Sequence, residues 1–174
     1  MAWYQPQFRA LFPIEGIRVS RSLAKRLRKG DFEIRFDTSF GQVIRNCRRP
    51  DENWINDEII RAYTDIHREG WGHCAECWID GELVGGVYGV ALGTCFSAES
   101  MFHRRTDASK IVLCAMVQHC RELGFTMFDA QVMNPHLESL GAYEIPIDDY
   151  LDRLAVAMET PTVWGPGIYA SSGK

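Results

Sequence analysis

Two polar side chains interrupt an apolar strand pattern late in the chain. In Phe125-Thr126-Met127-Phe128-Asp129-Ala130-Gln131-Val132, Asp129 and Gln131 stand two residues apart. Strand side chains alternate between faces, so Asp129 and Gln131 share one face with Met127, while Phe128, Ala130 and Val132 turn the other way, toward the core. A carboxylate beside an amide at a strand end is either a satisfied internal hydrogen-bond network or a reacting site, and most buried polar groups are simply paired. Glu99 adds a second carboxylate, in Phe96-Ser97-Ala98-Glu99-Ser100-Met101-Phe102. His73-Cys74-Ala75-Glu76-Cys77 has a Cys-x-x-Cys next to a histidine, which could open a zinc site. It lacks a second ligand pair at suitable spacing, and it alternates like a strand, so no metal is expected. No Ser-His-Asp or Cys-His constellation is evident.

The elements that must position these groups follow from periodicity and punctuation. Ile17-Arg18-Val19 reads as a short strand. Ser20 or Ser22 caps a helix through Lys29 that Gly30 stops. Phe32–Phe36 alternates as a strand. Phe40–Cys47 and Asp57–Glu69 carry helical apolar stripes, the second capped by Asn56. Ala75–Ile79 and Leu83–Val90 flank Asp80-Gly81, a strong hairpin signal. A strand over Leu92–Phe102 precedes a helix from Ala108 to Leu123. Asn134-Pro135 opens a short helix, with proline at its favoured first position. Tyr143–Pro146 is a strand and Tyr150–Met158 a last helix. This order is α+β: a mixed or antiparallel sheet flanked by helices, of the kind used by N-acetyltransferases. A single domain is expected over residues 1–160, with a C-terminal tail, 161–174, expected to be disordered in part.

The composition is that of a soluble globular protein, with 174 residues, 46% hydrophobic and 24% charged. No apolar run approaches the roughly 20 residues of a membrane span. The N-terminus has no signal-peptide pattern. These features predict a cytoplasmic protein without membrane association, whose six cysteines stay reduced. The net charge of −4 hides a division. Residues 18–49 hold ten basic side chains against three acidic ones, and residues 50–174 hold eight against nineteen. Such a split suits a polyanion on one side and a cationic group on the other, or else a solvated basic helix.

Four motifs stand in order: Leu83-Val84-Gly85-Gly86-Val87-Tyr88-Gly89-Val90, Glu99-Ser100-Met101-Phe102, Asp129-Ala130-Gln131 and Ser139-Leu140-Gly141-Ala142-Tyr143-Glu144-Ile145-Pro146. With Trp54-Ile55 and Ala62-Tyr63, their order and spacing resemble the bacterial leucyl/phenylalanyl-tRNA–protein transferases, over about Trp3 to Leu154. The resemblance implies transfer of Leu, Phe or Met from aminoacyl-tRNA to the N-terminal Arg or Lys of an acceptor protein, marking it for degradation by the N-end rule. No cofactor is implied, and a monomer is expected. Family members usually carry about 60 further residues before the segment here reading Trp3-Tyr4-Gln5-Pro6, so a short form lacking most of an N-terminal domain is expected.

The residue chemistry suits that reaction. An amine attacking an activated ester is its own nucleophile, so no separate nucleophilic side chain is required. The site needs an acceptor for the ammonium and donors near the oxyanion. By the resemblance, Asp129 and Gln131 orient and activate the acceptor amine, and Glu99 organises the site. Trp3 or Tyr4, Trp54 and Tyr63 would pack against the terminal adenosine and aminoacyl group; core packing is the other reading of Trp54 and Tyr63. Gly85 and Gly86 permit close backbone approach. Val87, Phe96 and Met101 could line an apolar pocket, with Ser97 beside them. Arg18, Arg21, Lys25, Arg26, Arg28 and Lys29 would grip RNA phosphates. Three alternatives remain: a non-catalytic tRNA- or protein-binding relic, an acetyl-CoA-dependent N-acetyltransferase, and a related aminoacyltransferase with another donor or acceptor residue. The second is disfavoured because the turn His103–Lys110 has no glycine and sets Asp107 at the helix start, where an anion would be repelled.

Overall fold

The computed structural model describes residues 6–49, 54–161 and 164–165. It contains seven strands and six helices in these residues: β1 (Phe8–Phe12), α1 (Arg21–Lys29), β2 (Glu33–Phe36), α2 (Phe40–Cys47), α3 (Asp57–Arg68), β3 (Gly72–Ile79), β4 (Glu82–Leu92), β5 (Cys95–His103), α4 (Ala108–Glu122), β6 (Met127–Gln131), α5 (Pro135–Ser139), β7 (Tyr143–Pro146) and α6 (Ile147–Met158). All seven strands join one sheet in the order β2-β3-β4-β5-β6-β1-β7. Only β5 and β6 run parallel; every other pair is antiparallel. This is the mixed, helix-flanked α+β arrangement expected from the element order.

The sheet is covered on both faces because its strands alternate apolar residues to each side. On one face, Ala75, Cys77, Val87, Phe96 and Phe128 pack with Leu23 of α1, the apolar stripe of α4 and Leu137 of α5. On the other, Cys74, Tyr88 and Phe102 meet Phe40, Val43 and Ile44 of α2, and Leu11, Cys95 and Met127 meet Tyr150 and Ala157 of α6. Tight turns form where the local chemistry dictates. Asp80 and Gly81 both take positive φ (52° and 78°) in the β3–β4 hairpin. Ser20, Asn56 and Asn134 cap α1, α3 and α5 through their side chains.

One finding differs from the sequence reading. Residues 17–19 form no strand. The strand is β1, farther upstream, inserted between β6 and β7. Five residues bounded by Pro6 and Pro13 give little local signal, and their pairing partners lie more than a hundred residues away. The Cys-x-x-Cys segment is also accounted for. Glu76, fully buried, accepts from Ser39 N (2.6 Å) and Trp78 Nε1 (2.9 Å) and holds the start of α2, while His73 pairs with Asp37 (2.9 Å). Of the tail, Trp164 stacks on His73 with ring centroids 3.9 Å apart.

A β-bulge shapes the centre of the sheet. Tyr88 pairs with Ser100 but Gly89 pairs with Ala98, which leaves Glu99 as the extra residue of β5. Gly89 makes the bulge possible: a Cβ there would overlap the Ser97 carbonyl and lie 2.7 Å from the Phe96 ring. The parallel ladder between β5 and β6 covers only Cys95–Met127, Phe96–Phe128 and Ser97–Asp129. Beyond it the strands part, because β5 bulges at Glu99 and β6 turns at Gln131, which has φ 67°.

Candidate functional site

The wedge between the parted strands holds a cavity of about 250 Å³. Phe12, Val87, Met101, Leu113, Phe128 and Leu137 form its apolar wall, and Glu99, Gln131, Asn134 and Trp54 its polar and aromatic rim. Backbone geometry therefore opens the sheet where the two candidate polar side chains stand.

Beside the cavity, Asp129 is fully buried and completely engaged. Arg9 donates Nε to both oxygens (2.9 and 3.1 Å) and Nη2 to Oδ2 (2.7 Å). Tyr150 Oη (2.9 Å) and Ser97 Oγ (3.1 Å) also donate to Oδ2, and the Gln131 backbone N–H donates to Oδ1 (2.8 Å). An ionised carboxylate offers about four lone-pair positions. Four donor groups of the protein occupy them. Burial works against the Arg9 charge, but the bonds and charge of Asp129 outweigh it and raise its pKa further above the ordinary value. Burial and then the Asp129 charge push the Tyr150 phenol up, so it remains a donor.

Gln131 carries this order to the cavity. Its Nε2 donates to the Ala98 carbonyl (3.0 Å) and to Glu99 Oε2 (3.1 Å). A carbonyl only accepts, so the Ala98 contact fixes which end of the amide is NH₂. The Gln131 Oε1 accepts no hydrogen bond among the described residues, and the side chain lines the cavity. The group left unengaged at the cavity is thus an amide acceptor, held through its backbone by Asp129 and through its side chain by β5.

Glu99 is raised above its ordinary value of 4.5, first by burial, with the hydrogen bonds from Gln131 and Tyr63 pulling the other way. A raised carboxyl holds its proton more tightly folded than unfolded. Its ionisation then costs stability, and this cost appears as pH rises from about 4.5 through the higher folded value. Glu99→Gln removes the titration. The stability of the wild type relative to this variant should fall as pH rises through that window, as measured by urea unfolding between pH 4 and 7. A constant difference would refute the assignment.

The model of the leucyl/phenylalanyl-tRNA protein transferase family matches residues 11–155. The chain belongs to that family. A leucyl/phenylalanyl-tRNA–protein transferase of Chlorobium luteolum is 45% identical over 166 residues, covering 93% of this chain and 86% of the relative. One from Ruegeria sp. is 46% identical, covering 91% and 76%. One from Rubrobacter xylanophilus is 47% identical, covering 89% and 82%. Among solved structures, a GCN5-related N-acetyltransferase-like protein of Streptococcus suis aligns at a TM-score of 0.34 and 16% identity over 79% of this chain and 60% of that one.

Within this family member, the residues singled out from sequence divide into several groups. Glu99, Gln131, Val87, Met101 and Trp54 line the cavity. Ser97 stands behind it, bonded to Asp129. Tyr63 stands near enough to Glu99 to act on its ionisation, and its ring meets Tyr88 edge-on. Phe96 is a correction. It is fully buried against Phe128 and Trp164, because the strand alternation upstream of the bulge turns it into the core. Gly85 and Gly86 are also corrections. A Cβ on Gly85 would lie 2.8 Å from Ala108 of α4, and one on Gly86 would lie 3.0 Å from Val43 of α2. The pair lets helices approach the sheet, not a substrate. Trp3 and Tyr4 lie outside the described residues.

The basic helix α1 buries Leu23 and exposes Arg21, Lys25, Arg28 and Lys29, with Arg18 exposed just before it. Arg26 and Lys29 both pair with Asp31. The face is cationic, though part of its charge is compensated. Sequence reasoning missed Arg9 and Tyr150. Both lie far from Asp129 in the chain's early strand and last helix, and no local pattern links them to it.

Proposed function

We propose that this chain transfers a leucyl, phenylalanyl or methionyl group from aminoacyl-tRNA to the α-amine of an acceptor protein beginning with Arg or Lys. The acceptor then becomes a substrate for degradation. The observation that carries the reading is the unengaged amide oxygen of Gln131, held at the rim of an apolar cavity by a closed ionic network.

In this reading the apolar wall takes the aminoacyl side chain and Trp54 packs against the terminal adenosine. Gln131 Oε1 accepts a hydrogen bond from the incoming amine and aims its lone pair at the ester carbonyl. The new C–N bond forms as the ester C–O bond to the 3′ oxygen breaks. The α-ammonium first gives one proton to water, which frees the lone pair and is accessible near neutral pH; the second proton, lost as the C–N bond forms, leaves with the 3′ oxygen, directly or through water, so no side chain need act as a base. Asp129 works as a positioning residue, since its own lone pairs are occupied. Glu99 braces Gln131 and supplies anionic character toward the doubly charged end of an Arg or Lys acceptor. The exposed cations of α1 and Arg18 hold RNA phosphates. The enzyme works in the cytoplasm, where charged tRNA is found.

Purified protein should label a peptide beginning with Arg or Lys from Phe-tRNA, and should leave a peptide beginning with Ala unlabelled. Transfer from acetyl-CoA instead would favour an acetyltransferase. Bound tRNA with no transfer at any enzyme concentration would favour a non-catalytic binding protein.

A further inference from the structure

A second cationic surface lies where β5 runs into α4. His103, Arg104 and Arg105 are exposed in succession, and with Lys110 and His136 they line a groove of about 560 Å³. Among the described residues the only acid lining the groove is Asp107, and its pairing with Lys110 at 2.8 Å offsets the repulsion of anions expected from an acid at this helix start. Arg104 and Arg105 also border the neighbouring cleft, which Arg45 enters from α2. Arg104 Nη2 is oriented by Asn46 Oδ1 (2.7 Å), and its backbone N–H is fixed to the Val84 carbonyl (2.7 Å). The crowding of like charge has an electrostatic signature. His136 is lowered by burial and then by Lys110 and His103, so three groups that repel one another share the groove. Such a cluster is relieved by an anion.

Its position suggests which anion. Glu99 at the cavity and His103 in the groove are four residues apart on β5, or about 13 Å along a strand. A stacked strand of nucleic acid advances about 3.4 Å per nucleotide, so roughly four nucleotides span that gap. Helix α5 links the two basic surfaces: His136 near its start lines this groove, and Leu140 just past its end bonds the backbone of Arg18 (2.7 Å). We infer that the β5–α4 groove binds the backbone phosphates of the single-stranded 3′ end of the RNA, a few nucleotides before the aminoacylated terminus, as a site separate from α1. This rests on the reading above that the aminoacyl end enters the cavity.

The test measures binding of uncharged tRNA-Phe to the full chain by fluorescence anisotropy across a salt series, apart from any transfer assay. Arg104→Gln/Arg105→Gln alters two exposed side chains and should fold normally, as circular dichroism would verify. Each single-strand phosphate neutralised contributes about −0.7 to the slope of log K against log salt, so the variant's slope should be shallower by about 1.4. Its affinity at low salt should be about tenfold weaker. On tRNA lacking its last four nucleotides, variant and wild type should bind alike. An unchanged slope with full-length tRNA overturns the inference, as does an undiminished difference on the shortened RNA. Tight binding of coenzyme A that the variant loses, with tRNA binding intact, overturns it as well. A wild type that binds in the expected pattern yet transfers nothing would remove the proposed activity and leave the groove assignment standing. Normal transfer with variant and wild type binding tRNA identically would do the reverse.

Discussion

Asp129→Asn will lower stability by about 3–5 kcal/mol and transfer by at least about a hundredfold, with tRNA affinity nearly unchanged. Asparagine keeps the shape but presents NH₂ where the carboxylate accepted from Arg9, Tyr150 or Ser97. At least one donor is then left facing another donor in a fully buried site, and the Arg9 charge loses its counterion. Removing one partner of a buried pair is far more costly than the net worth of the pair, because the remaining charge is stranded. For a domain of this size, each kcal/mol lowers Tm by about 2–4 °C, so a drop of roughly 10 °C is expected. The transfer defect has a separate origin: the Gln131 backbone N–H loses its anionic acceptor, and the left-handed turn that aims the amide relaxes. Urea unfolding and kcat/KM with Phe-tRNA measure the two losses separately. Wild-type kcat/KM in the folded variant would show that Asp129 has no bearing on the reaction.

Gln131→Asn should separate rate from stability. Asparagine tolerates positive φ, so the turn survives. The side chain is one carbon shorter, about 1.5 Å. It can no longer hold both the Ala98 carbonyl and Glu99 while leaving its oxygen at the cavity rim. A displacement of about 1 Å in a positioning group costs on the order of a hundredfold. We expect that loss in kcat, with KM for tRNA within a factor of about two. Stability should change by no more than about 1.5 kcal/mol, the net value of a typical hydrogen bond. In the Asp129→Asn/Gln131→Asn double variant the catalytic losses should fall short of additive, since the buried carboxylate acts through the amide. Additive losses would mean that the two residues act independently, and a fully active Gln131→Asn would rule out the amide oxygen as the group that meets the amine.

The chain's own sequence determined much of this architecture, for local reasons. Helix α2 over Phe40–Cys47, the Asn caps of α3 and α5, the Asp80-Gly81 hairpin and β7 all rest on signals within a few residues: apolar stripes, cap side chains and a turn that demands positive φ. The sequence also marked Asp129, Gln131 and Glu99, because polar residues stand out in apolar strands. Tertiary structure decided what those residues do. Strand alternation put Asp129 and Gln131 on one face, but the turn at Gln131 and the bulge at Glu99 broke that regularity and opened the cavity. Whether Asp129 faces a substrate or the protein depended on Arg9 and Tyr150, 120 and 21 residues away. The glycines of β4 look the same in sequence whether a ligand or a helix approaches them; only the packing of α2 and α4 distinguished the two. Local sequence sets backbone preference over a few residues, whereas the charge state and engagement of a buried group are set by whatever the folded chain brings against it.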